Sequence, residues 1–379
     1  MFDMATIQRG ARLRRSPYFN ATLRHGCSAY TVYNHMFLPT QYDDLEKEYR
    51  RLLGDVTVWD VSVERQVEIT GPDGLAFANM LTPRDLTKCS IGQAKYVVIT
   101  AEDGGIVNDP VLLRLGENHF WFAAADSDML LWAKGVACNA GMDVDIREPD
   151  VSPMQIQGPQ SKAVVQALFG DRVLSLAYYC FLETELDGIP VVVTRTGWSG
   201  EVGYEIYLRD GSRGEELWDR VMTAGQPYNI APTGPSDIRR IEAGILNYGI
   251  DMTLENNPFE VGLDWMVDLD QESAFIGKDA LRDIQRRGVH RKLVGIEIGG
   301  EALDLNTTAW PVRDGENEVG HVTSAVYSPR LEKNIGYAMV PIDLTAIDTK
   351  LNVVTPDGDA SARVVPKPFI DPKKNVPKA

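Results

Sequence analysis

The sequence has few of the residues from which most metal and redox sites are built. Only four of its 379 residues are cysteine and five are histidine, and neither type recurs at the spacing of a metal-binding knuckle or a C-x-x-C pair. Zinc sites and redox dithiols need such clusters of thiols or imidazoles. We therefore expect no bound metal, and we interpret the cysteines as reduced thiols of a cytoplasmic protein.

Long apolar runs and excess positive charge are also absent. The apolar stretch 119–133 is interrupted by Asp126 and Asp128, well short of the roughly 20 residues that a membrane-spanning helix needs. The first residues contain no apolar core of a signal peptide. Because 38 Lys and Arg face 54 Asp and Glu, for a net charge of −16, we expect neither a nucleic-acid partner nor a membrane partner.

The common nucleotide and hydrolase motifs are missing as well. The sequence contains no G-x-x-x-x-G-K-[ST] loop, no G-x-G-x-x-G between a strand and a helix, and no G-x-S-x-G elbow. These glycine patterns hold phosphates or expose a nucleophile. We therefore expect neither a flavin nor a nicotinamide cofactor.

Length and composition indicate a folded protein of two or three domains. The chain is 44% hydrophobic and 24% charged, which is typical of globular proteins of this size. After Gly288 the sequence becomes a series of short β-rich runs separated by Gly, Asp, Asn and Pro. This pattern predicts a small antiparallel barrel at the C-terminal end, preceded by a polar helix over 278–287.

A strand, Gly-Pro turn and helix pattern occurs twice. Residues 63–70 precede Gly71-Pro72, and residues 152–157 precede Gly158-Pro159. The recurrence suggests duplication of a strand-and-helix unit, although two copies also allow chance similarity. Periodicity predicts further helices over residues 42–53, 127–140, 215–225 and 236–248.

The loop from Gly104 to Pro110 is the first candidate functional segment. Its paired glycines allow a tight turn, and Asn108-Asp109 lie where the next strand begins. The Asp109 carboxylate could accept a hydrogen bond from a ligand N–H group. The alternative is an Asx turn with no functional role.

The segment from Arg195 to Tyr207 is the second candidate functional segment. Alternation along its strand places Glu205 and Tyr207 on one face. A glutamate beside Trp198 and a tyrosine suits a heterocycle with adjacent N–H donors, such as a pterin edge. A hairpin carrying a solvated glutamate is the alternative.

Two basic features admit both structural and functional interpretations. In the predicted helix after Ser236 we expect one of Arg239 and Arg240 to point inward, where a buried guanidinium needs a carboxylate. Arg240 is then either part of a structural ion pair or a clamp on an acidic ligand. The basic arm over residues 8–25 either pairs with acidic surface or forms an anion-contacting edge of the site.

Taken together, several segments resemble the folate-dependent aminomethyltransferase family, typified by the T-protein of the glycine cleavage system. The resemblance runs from Arg12 to Phe369 and is carried, in order, by residues 59–62, 104–109, 195–206, 240–244, 248–251, 275–278 and 323–329. The segments 29–36 and Glu64-Arg65-Gln66 resemble in particular the dimethylsulfoniopropionate demethylases of this family. Residues 200–203 and Ile250 depart from the demethylase pattern.

The resemblance implies an α+β fold, a three-domain cloverleaf. Two mixed α/β domains would surround a central folate hole, and the last domain would be an antiparallel β-barrel. We assign residues 1–58 with 152–270 to a discontinuous folate-binding domain, 59–151 to the second domain, 271–290 to the connection and 291–379 to the barrel.

The resemblance also implies roles for particular residues. Each role is a prediction for tetrahydrofolate as co-substrate or for a methyl donor. Asp109 and Tyr96 would be catalytic and face the reacting N5. Glu205 would hold the pterin ring, and the further folate contacts would come from Tyr207, Trp198, Val107 and Arg240. A donor cation would be stabilised by Tyr33, Trp198 and Trp265.

The function implied is methyl transfer from a small onium donor such as dimethylsulfoniopropionate to N5 of tetrahydrofolate, giving 5-methyltetrahydrofolate. Three alternatives stay open. One is the T-protein reaction, with a lipoylated carrier protein as partner. The others are O-demethylation of a methoxylated acid, and folate binding without turnover, which the absence of a cysteine from residues 195–204 disfavours. The sequence leaves the donor and the oligomeric state open, including a homodimer.

Overall fold

The structure is a computed structural model that describes residues 10–379. The first nine residues of the predicted folate-binding domain, with Arg9 of the basic arm, lie outside the described residues. Within the described part of the chain, no helix has the length and apolarity needed to cross a membrane.

Strands account for most of the regular structure. Before residue 291 they are β1 (Ala29–Tyr33), β2 (Met36–Gln41), β3 (Thr57–Asp60), β4 (Gln66–Thr70), β5 (Ala94–Tyr96), β6 (Ile99–Thr100), β7 (Ile106–Asn108), β8 (Val111–Gly116), β9 (His119–Ala123), β10 (Asp145–Arg147), β11 (Ser152–Gln157), β12 (Phe181–Leu186), β13 (Ile189–Thr194), β14 (Gly203–Leu208) and β15 (Ala231–Pro232). The later ones are β16 (Arg291–Ile298), β17 (Trp310–Asp314), β18 (Asn317–Ser328), β19 (Lys333–Pro341), β20 (Lys350–Thr355) and β21 (Gly358–Val365).

Helices connect these strands. They are α1 (Phe19–Arg24), α2 (Leu45–Gly54), α3 (Gly74–Leu81), α4 (Met129–Ala140), α5 (Ser161–Phe169), α6 (Gly214–Gly225), α7 (Asp237–Glu242), α8 (Pro258–Val261), α9 (Lys278–Arg287) and α10 (Asn375–Lys378). Short 3-10 helices cover Leu86–Lys88, Asp171–Ser175, Gly211–Arg213, Gln226–Tyr228, Asp264–Met266 and Ile342–Leu344.

Two sheets pack face to face. One has the order β12-β13-β14-β11-β3-β15 and the other β10-β4-β9-β8-β5. Trp121 and Leu113 of the second sheet share a buried cluster with Val192 and Tyr207 of the first. Because side chains alternate along a strand, the neighbours of these residues point outward and pack beneath helices, as Phe120 does with α3 and Ile206 with α6.

The C-terminal strands close into a barrel in the order β16-β19-β18-β17-β20-β21. Its interior contains Ile296, Val312 and Val340, while Tyr337 and Met339 pack outward against the rest of the chain. The predicted C-terminal barrel is therefore confirmed. The sequence pattern missed β17, because its run of alternating residues is short and contains Pro311.

The two Gly-Pro turns of the suspected repeat have the same local geometry. Gly71 follows β4 with φ 113° and Gly158 follows β11 with φ 118°, and a short helix begins a few residues after each. Few residues other than glycine adopt such angles. The two units lie in different sheets, one in each.

The helix expected over residues 236–248 is shorter than predicted. It ends at Glu242, and Gly244 follows with φ 71°. A Cβ at Gly244 would lie 2.8 Å from Cγ of Pro368, so the chain turns away here to accommodate the C-terminal segment. The pattern of apolar residues alone contains no information about this distant contact.

A close backbone approach at Gly277 gives a test of the fold. Gly277 (φ 83°, ψ 4°) begins α9, and a Cβ there would lie 2.4 Å from the carbonyl oxygen of Ala101. Gly141 (φ 65°, ψ 23°) follows the last residue of α4, and a Cβ there would have no described atom within 4 Å other than those of its chain neighbours. We expect Gly277→Ala to lower the free energy of unfolding by about 2–4 kcal/mol, and the control Gly141→Ala by about 1 kcal/mol. Equal losses in urea titrations would contradict the packing described.

Candidate active site

Glu205 lies on β14 and points toward the interface of the two sheets. Its Oε2 accepts hydrogen bonds from Thr196 Oγ1 at 2.6 Å and from the Tyr207 hydroxyl at 2.9 Å, while its Oε1 accepts one from Gln155 Nε2 at 2.8 Å. Glu205 and Tyr207 do share a face, as predicted. Oε1 retains a lone pair for a further N–H donor, so the solvated-hairpin alternative is wrong for this 3% exposed residue.

Burial sets the protonation properties of this carboxylate. Burial raises the pKa of Glu205, and the hydroxyl donors Thr196 and Tyr207 oppose that rise. No cation pairs with Glu205 among residues 10–379. A buried carboxylate that is held by neutral donors alone gains stability from any ligand that brings additional N–H groups.

Asp109, which directly follows β7, and Tyr96, the last residue of β5, form a second pair. The Tyr96 hydroxyl donates to Asp109 Oδ2 at 2.8 Å. Burial raises the pKa of Asp109 to about 7, with the Tyr96 hydrogen bond opposing the shift. A carboxylate with that pKa can accept or release a proton near neutral pH.

The preceding residue Asn108 fixes the backbone that carries Asp109. Its Nδ2 donates to the Ala125 oxygen at 3.0 Å and its Oδ1 accepts from the Ala125 nitrogen at 3.0 Å. These contacts span 17 residues, so Asn108 does not form the local Asx turn considered as the alternative. The turn of this type in the loop belongs to Asp103, whose Oδ1 accepts from the Gly105 nitrogen at 2.9 Å.

Several partly accessible residues lie around Asp109. Tyr33, Glu64, Tyr96 and Asp109 are half-buried. Hydrogen bonds join the segments that carry three of them, because Asn34 donates to the oxygens of Val63 and Ala125, and Asn108 donates to the same Ala125 oxygen. That combination is typical of side chains that line a cleft. We call the space bounded by these four residues, with Glu205 beside it, the central cleft.

Electrostatic effects indicate that these groups are close together. Burial and then the Asp109 and Glu64 carboxylates raise the pKa of Tyr33. Burial and then the Glu205 and Asp109 charges raise the pKa of Glu64. The central cleft therefore brings together three carboxylates from segments that are distant in sequence.

The expectation that one of two adjacent arginines points inward is wrong, because both are buried. Arg239 is 0% and Arg240 is 1% exposed. Arg239 Nε donates to Glu201 Oε1 at 2.8 Å. The helix is only six residues long and contacts the loop before β14 on one side and the barrel on the other, so both positions find buried carboxylate partners.

Arg240 connects α7 to the barrel. It donates to Asp251 Oδ2 at 2.5 Å, to Asp237 Oδ1 at 3.0 Å and to Ser324 Oγ at 2.8 Å. Asp251 Oδ1 in turn accepts from Thr323 Oγ1 at 2.7 Å. These contacts are those of a structural ion pair. The predicted contact between Arg240 and folate stays a prediction.

The remaining predicted residues occupy different surroundings. Trp198 is half-buried with the Arg240 guanidinium 5.8 Å from its ring centroid, whereas Tyr207 is fully buried behind Glu205. Val107 is half-buried, and its oxygen accepts from Ser127 Oγ at 3.0 Å. Trp265 is 57% exposed, with the Arg84 guanidinium 5.0 Å from its ring centroid.

Trp265 still lies next to the site. Its ring centroid is 6.4 Å from that of Tyr96. Its predicted contact with a donor cation is left as a prediction, with one face of the ring already covered by Arg84.

The prediction from sequence omitted Glu64, Gln155, Thr196 and Asp251. Gln155 pairs directly across the sheet from Glu205, which a known strand register would have indicated. Glu64 lies in a segment that carried the family resemblance, but nothing in the local sequence indicates that it faces the cleft.

The basic arm pairs with acidic surface where it is described. Arg14 Nη1 lies 2.6 Å from Glu148 Oε1, and Arg24 pairs with Glu215 and Asp219. These contacts match the structural alternative for the arm.

Comparison with known proteins agrees with the fold. Residues 18–271 match the family model described as the GCVT N-terminal domain, and residues 291–371 match that of the glycine cleavage T-protein C-terminal barrel domain. The dimethylsulfoniopropionate demethylase DmdA of Ruegeria pomeroyi is 39% identical over 94% of this chain and 97% of its own length. An aminomethyltransferase of Bacillus cytotoxicus is 30% identical over 94% and 98%.

A solved structure supports the architecture. The aminomethyltransferase T of the glycine cleavage system from Bartonella henselae has a TM-score of 0.85 at 22% identity, covering 95% of this chain and 98% of that one. The matches define a class, the tetrahydrofolate-dependent one-carbon transferases. The chain belongs to the folate-dependent aminomethyltransferase family, also called the glycine cleavage T-protein family, which confirms the resemblance and the α+β cloverleaf fold.

The raised pKa of Asp109 predicts a pH-dependent effect on stability. Its folded pKa of about 7 exceeds the ordinary 3.8, so ionised Asp109 costs folding free energy that accumulates as the pH rises from 4 through 7. We expect Asp109→Asn to stabilise the protein by about 1–3 kcal/mol more at pH 8 than at pH 4. Asp128→Asn removes an exposed carboxylate as control. In urea unfolding, an Asp109→Asn effect independent of pH would contradict the burial described.

Proposed function

We propose that the protein transfers a methyl group from a small onium compound, dimethylsulfoniopropionate or a close analogue, to N5 of tetrahydrofolate. The products are 5-methyltetrahydrofolate and the demethylated sulfide. The observation that carries the proposal is the central cleft, which holds a hydrogen-bonded glutamate, Glu205, and an aspartate with a pKa of about 7, Asp109. No cation among residues 10–379 pairs with either carboxylate. The 39% identity to a dimethylsulfoniopropionate demethylase supports the choice of donor.

Glu205 suits the pterin edge of the folate. Gln155, Thr196 and Tyr207 fix its carboxylate while one lone pair of Oε1 stays available. A preorganised acceptor needs no reorganisation when the ring binds. Tyr207 therefore acts through Glu205, and Trp198 and Val107 contribute surface beside the ring.

The methyl transfer is a displacement at carbon. The N5 lone pair forms the new N–C bond while the S–CH3 bond breaks, and its electrons remain on the sulfur, which becomes neutral. The proton that leaves N5 passes to Asp109, which Tyr96 holds in place. A sulfonium is already a good leaving group, so the protein contributes alignment and exclusion of water.

Two coarser inferences accompany this proposal. We infer the domain division given from the sequence, with the barrel beginning at residue 291, because β16 starts there. We also infer a cytoplasmic protein that acts on small molecules, without nucleic-acid or membrane partners, from its acidic composition.

A panel of donors tests the function directly. Purified protein and tetrahydrofolate are incubated with dimethylsulfoniopropionate, glycine betaine, dimethylglycine or methoxybenzoates, and 5-methyltetrahydrofolate is measured. We expect product with the sulfonium donor. Release of ammonia from an aminomethyl-loaded lipoyl carrier protein, with no methyl transfer from any donor, would favour the T-protein reaction instead.

Substitutions separate folate binding from chemistry. Glu205→Gln should weaken tetrahydrofolate binding about 10- to 100-fold, because a charge-assisted hydrogen bond is lost. Asp109→Asn should lower kcat about 10²- to 10⁴-fold with little change in folate affinity. Calorimetry measures the folate affinity and initial rates measure kcat. Full activity in both variants would refute the assignment.

The wild-type rate should fall as the pH drops below about 7 and Asp109 becomes protonated. Initial rates measured across this pH range check that dependence.

A further inference from the structure

Glu64 is a half-buried residue whose carboxylate has no hydrogen-bond partner in the described part of the chain. It lies in the turn between β3 and β4, where its nitrogen donates to the Val61 oxygen at 2.9 Å. Among residues 10–379, no donor lies within hydrogen-bond distance of its carboxylate and no cation pairs with it. The adjacent Arg65 cannot do so, because its guanidinium pairs with Glu148. The negative charge of Glu64 is therefore not offset by a neighbouring side chain.

The other two carboxylates of the central cleft are already engaged. Glu205 accepts hydrogen bonds on both oxygens, and Asp109 accepts one from Tyr96. Glu64 has both oxygens free. Of the three, it is the group best suited to a ligand that brings positive charge but no hydrogen-bond donor.

A sulfonium or quaternary ammonium centre is such a ligand. Its charge is surrounded by carbon, so it gains from an ionic contact and an aromatic face rather than from hydrogen bonds. Tyr33 supplies an aromatic ring in the neighbourhood of Glu64, because the next residue, Asn34, donates from Nδ2 to the oxygen of Val63, which precedes Glu64, at 3.0 Å. The contribution of the Glu64 charge to the raised pKa of Tyr33 agrees with this placement. The carboxylate and the ring together provide both kinds of contact.

We propose that Glu64 determines the specificity of the donor site by binding the positive onium centre of the methyl donor. This inference rests on the proposed function and names the residue that selects its substrate. Transfer of the methyl group turns the cationic sulfonium into a neutral sulfide. The ionic contact with Glu64 is then lost, which favours release of the product.

A pair of shape-matched ligands tests the proposal without relying on turnover. Dimethylsulfoniopropionate and 4-methylpentanoate have similar shape and the same carboxylate, but only the first carries a positive centre. Calorimetry on the full chain without folate measures their affinities. We expect the wild-type protein to prefer the sulfonium by about 10-fold or more. Equal affinities would overturn the proposal without any variant.

Substitution then assigns the preference to Glu64. Glu64→Gln should bring the affinity ratio close to 1, while Glu64→Asp, which keeps the charge, should restore most of it. Glu102→Gln, an exposed control with the same change in charge, should leave the ratio unchanged. An unchanged ratio in Glu64→Gln would refute the role of Glu64, and if that variant does not fold, the wild-type ratio and Glu64→Asp still decide.

Proton release provides an independent readout. Burial and then the Glu205 and Asp109 charges raise the pKa of Glu64. A bound cation should lower that pKa again, so binding should release protons. The other groups that face Glu64 are Tyr33 and Tyr207. Titrations in buffers of different ionisation enthalpy should show the release with dimethylsulfoniopropionate but not with 4-methylpentanoate. Release of equal size in Glu64→Gln would refute the assignment.

These outcomes distinguish the two proposals. If the wild-type protein transfers methyl groups but Glu64→Gln keeps the same KM and affinity ratio, only the role of Glu64 fails. If no donor yields 5-methyltetrahydrofolate, the proposed function fails, and this result does not depend on the binding preference measured for Glu64.

Discussion

The ion pair between Arg240 and Asp251 holds together the parts of the chain on which the site depends. It joins α7 to the loop after it, and the hydroxyls of Thr323 and Ser324 extend it into the barrel. Removing one partner from such a buried pair leaves an uncompensated charge, which costs about 3–5 kcal/mol. The barrel is therefore attached to α7 and to the loop after it through a buried polar contact.

The ion pair between Arg240 and Asp251 also changes how the net charge of −16 relates to folate binding. An acidic protein that binds the acidic folate molecule is expected to concentrate positive charge at its site. Arg240 is the residue that the sequence suggests as the source of that charge. Its charge is instead offset by Asp251 and Asp237. What the central cleft concentrates is carboxyl groups, those of Glu64, Asp109 and Glu205. Burial of these groups lowers the stability of the fold, which is a common cost of preorganised active sites. The same carboxyl groups suit a cationic substrate.

The sequence predicts those features that depend on local periodicity. Alternation along β14 places Glu205 and Tyr207 on one face, and short β-rich runs predict the barrel. Features that depend on contacts between distant parts of the chain cannot be predicted from local periodicity. The partnership of Gln155 with Glu205 requires the register of β11 against β14, and the early end of α7 follows from contact with Pro368. The burial of both Arg239 and Arg240 likewise requires partners that are distant in sequence.

If the cleft transfers an intact methyl group from a cationic donor to folate, an isotope label on that group must appear in the folate product. Dimethylsulfoniopropionate with two deuterated methyl groups is incubated with the protein and tetrahydrofolate, and the folate product is analysed by mass spectrometry. The account predicts 5-methyltetrahydrofolate that retains all three deuterons of one methyl group. Absence of labelled product, or loss of deuterium on the way to folate, would contradict it.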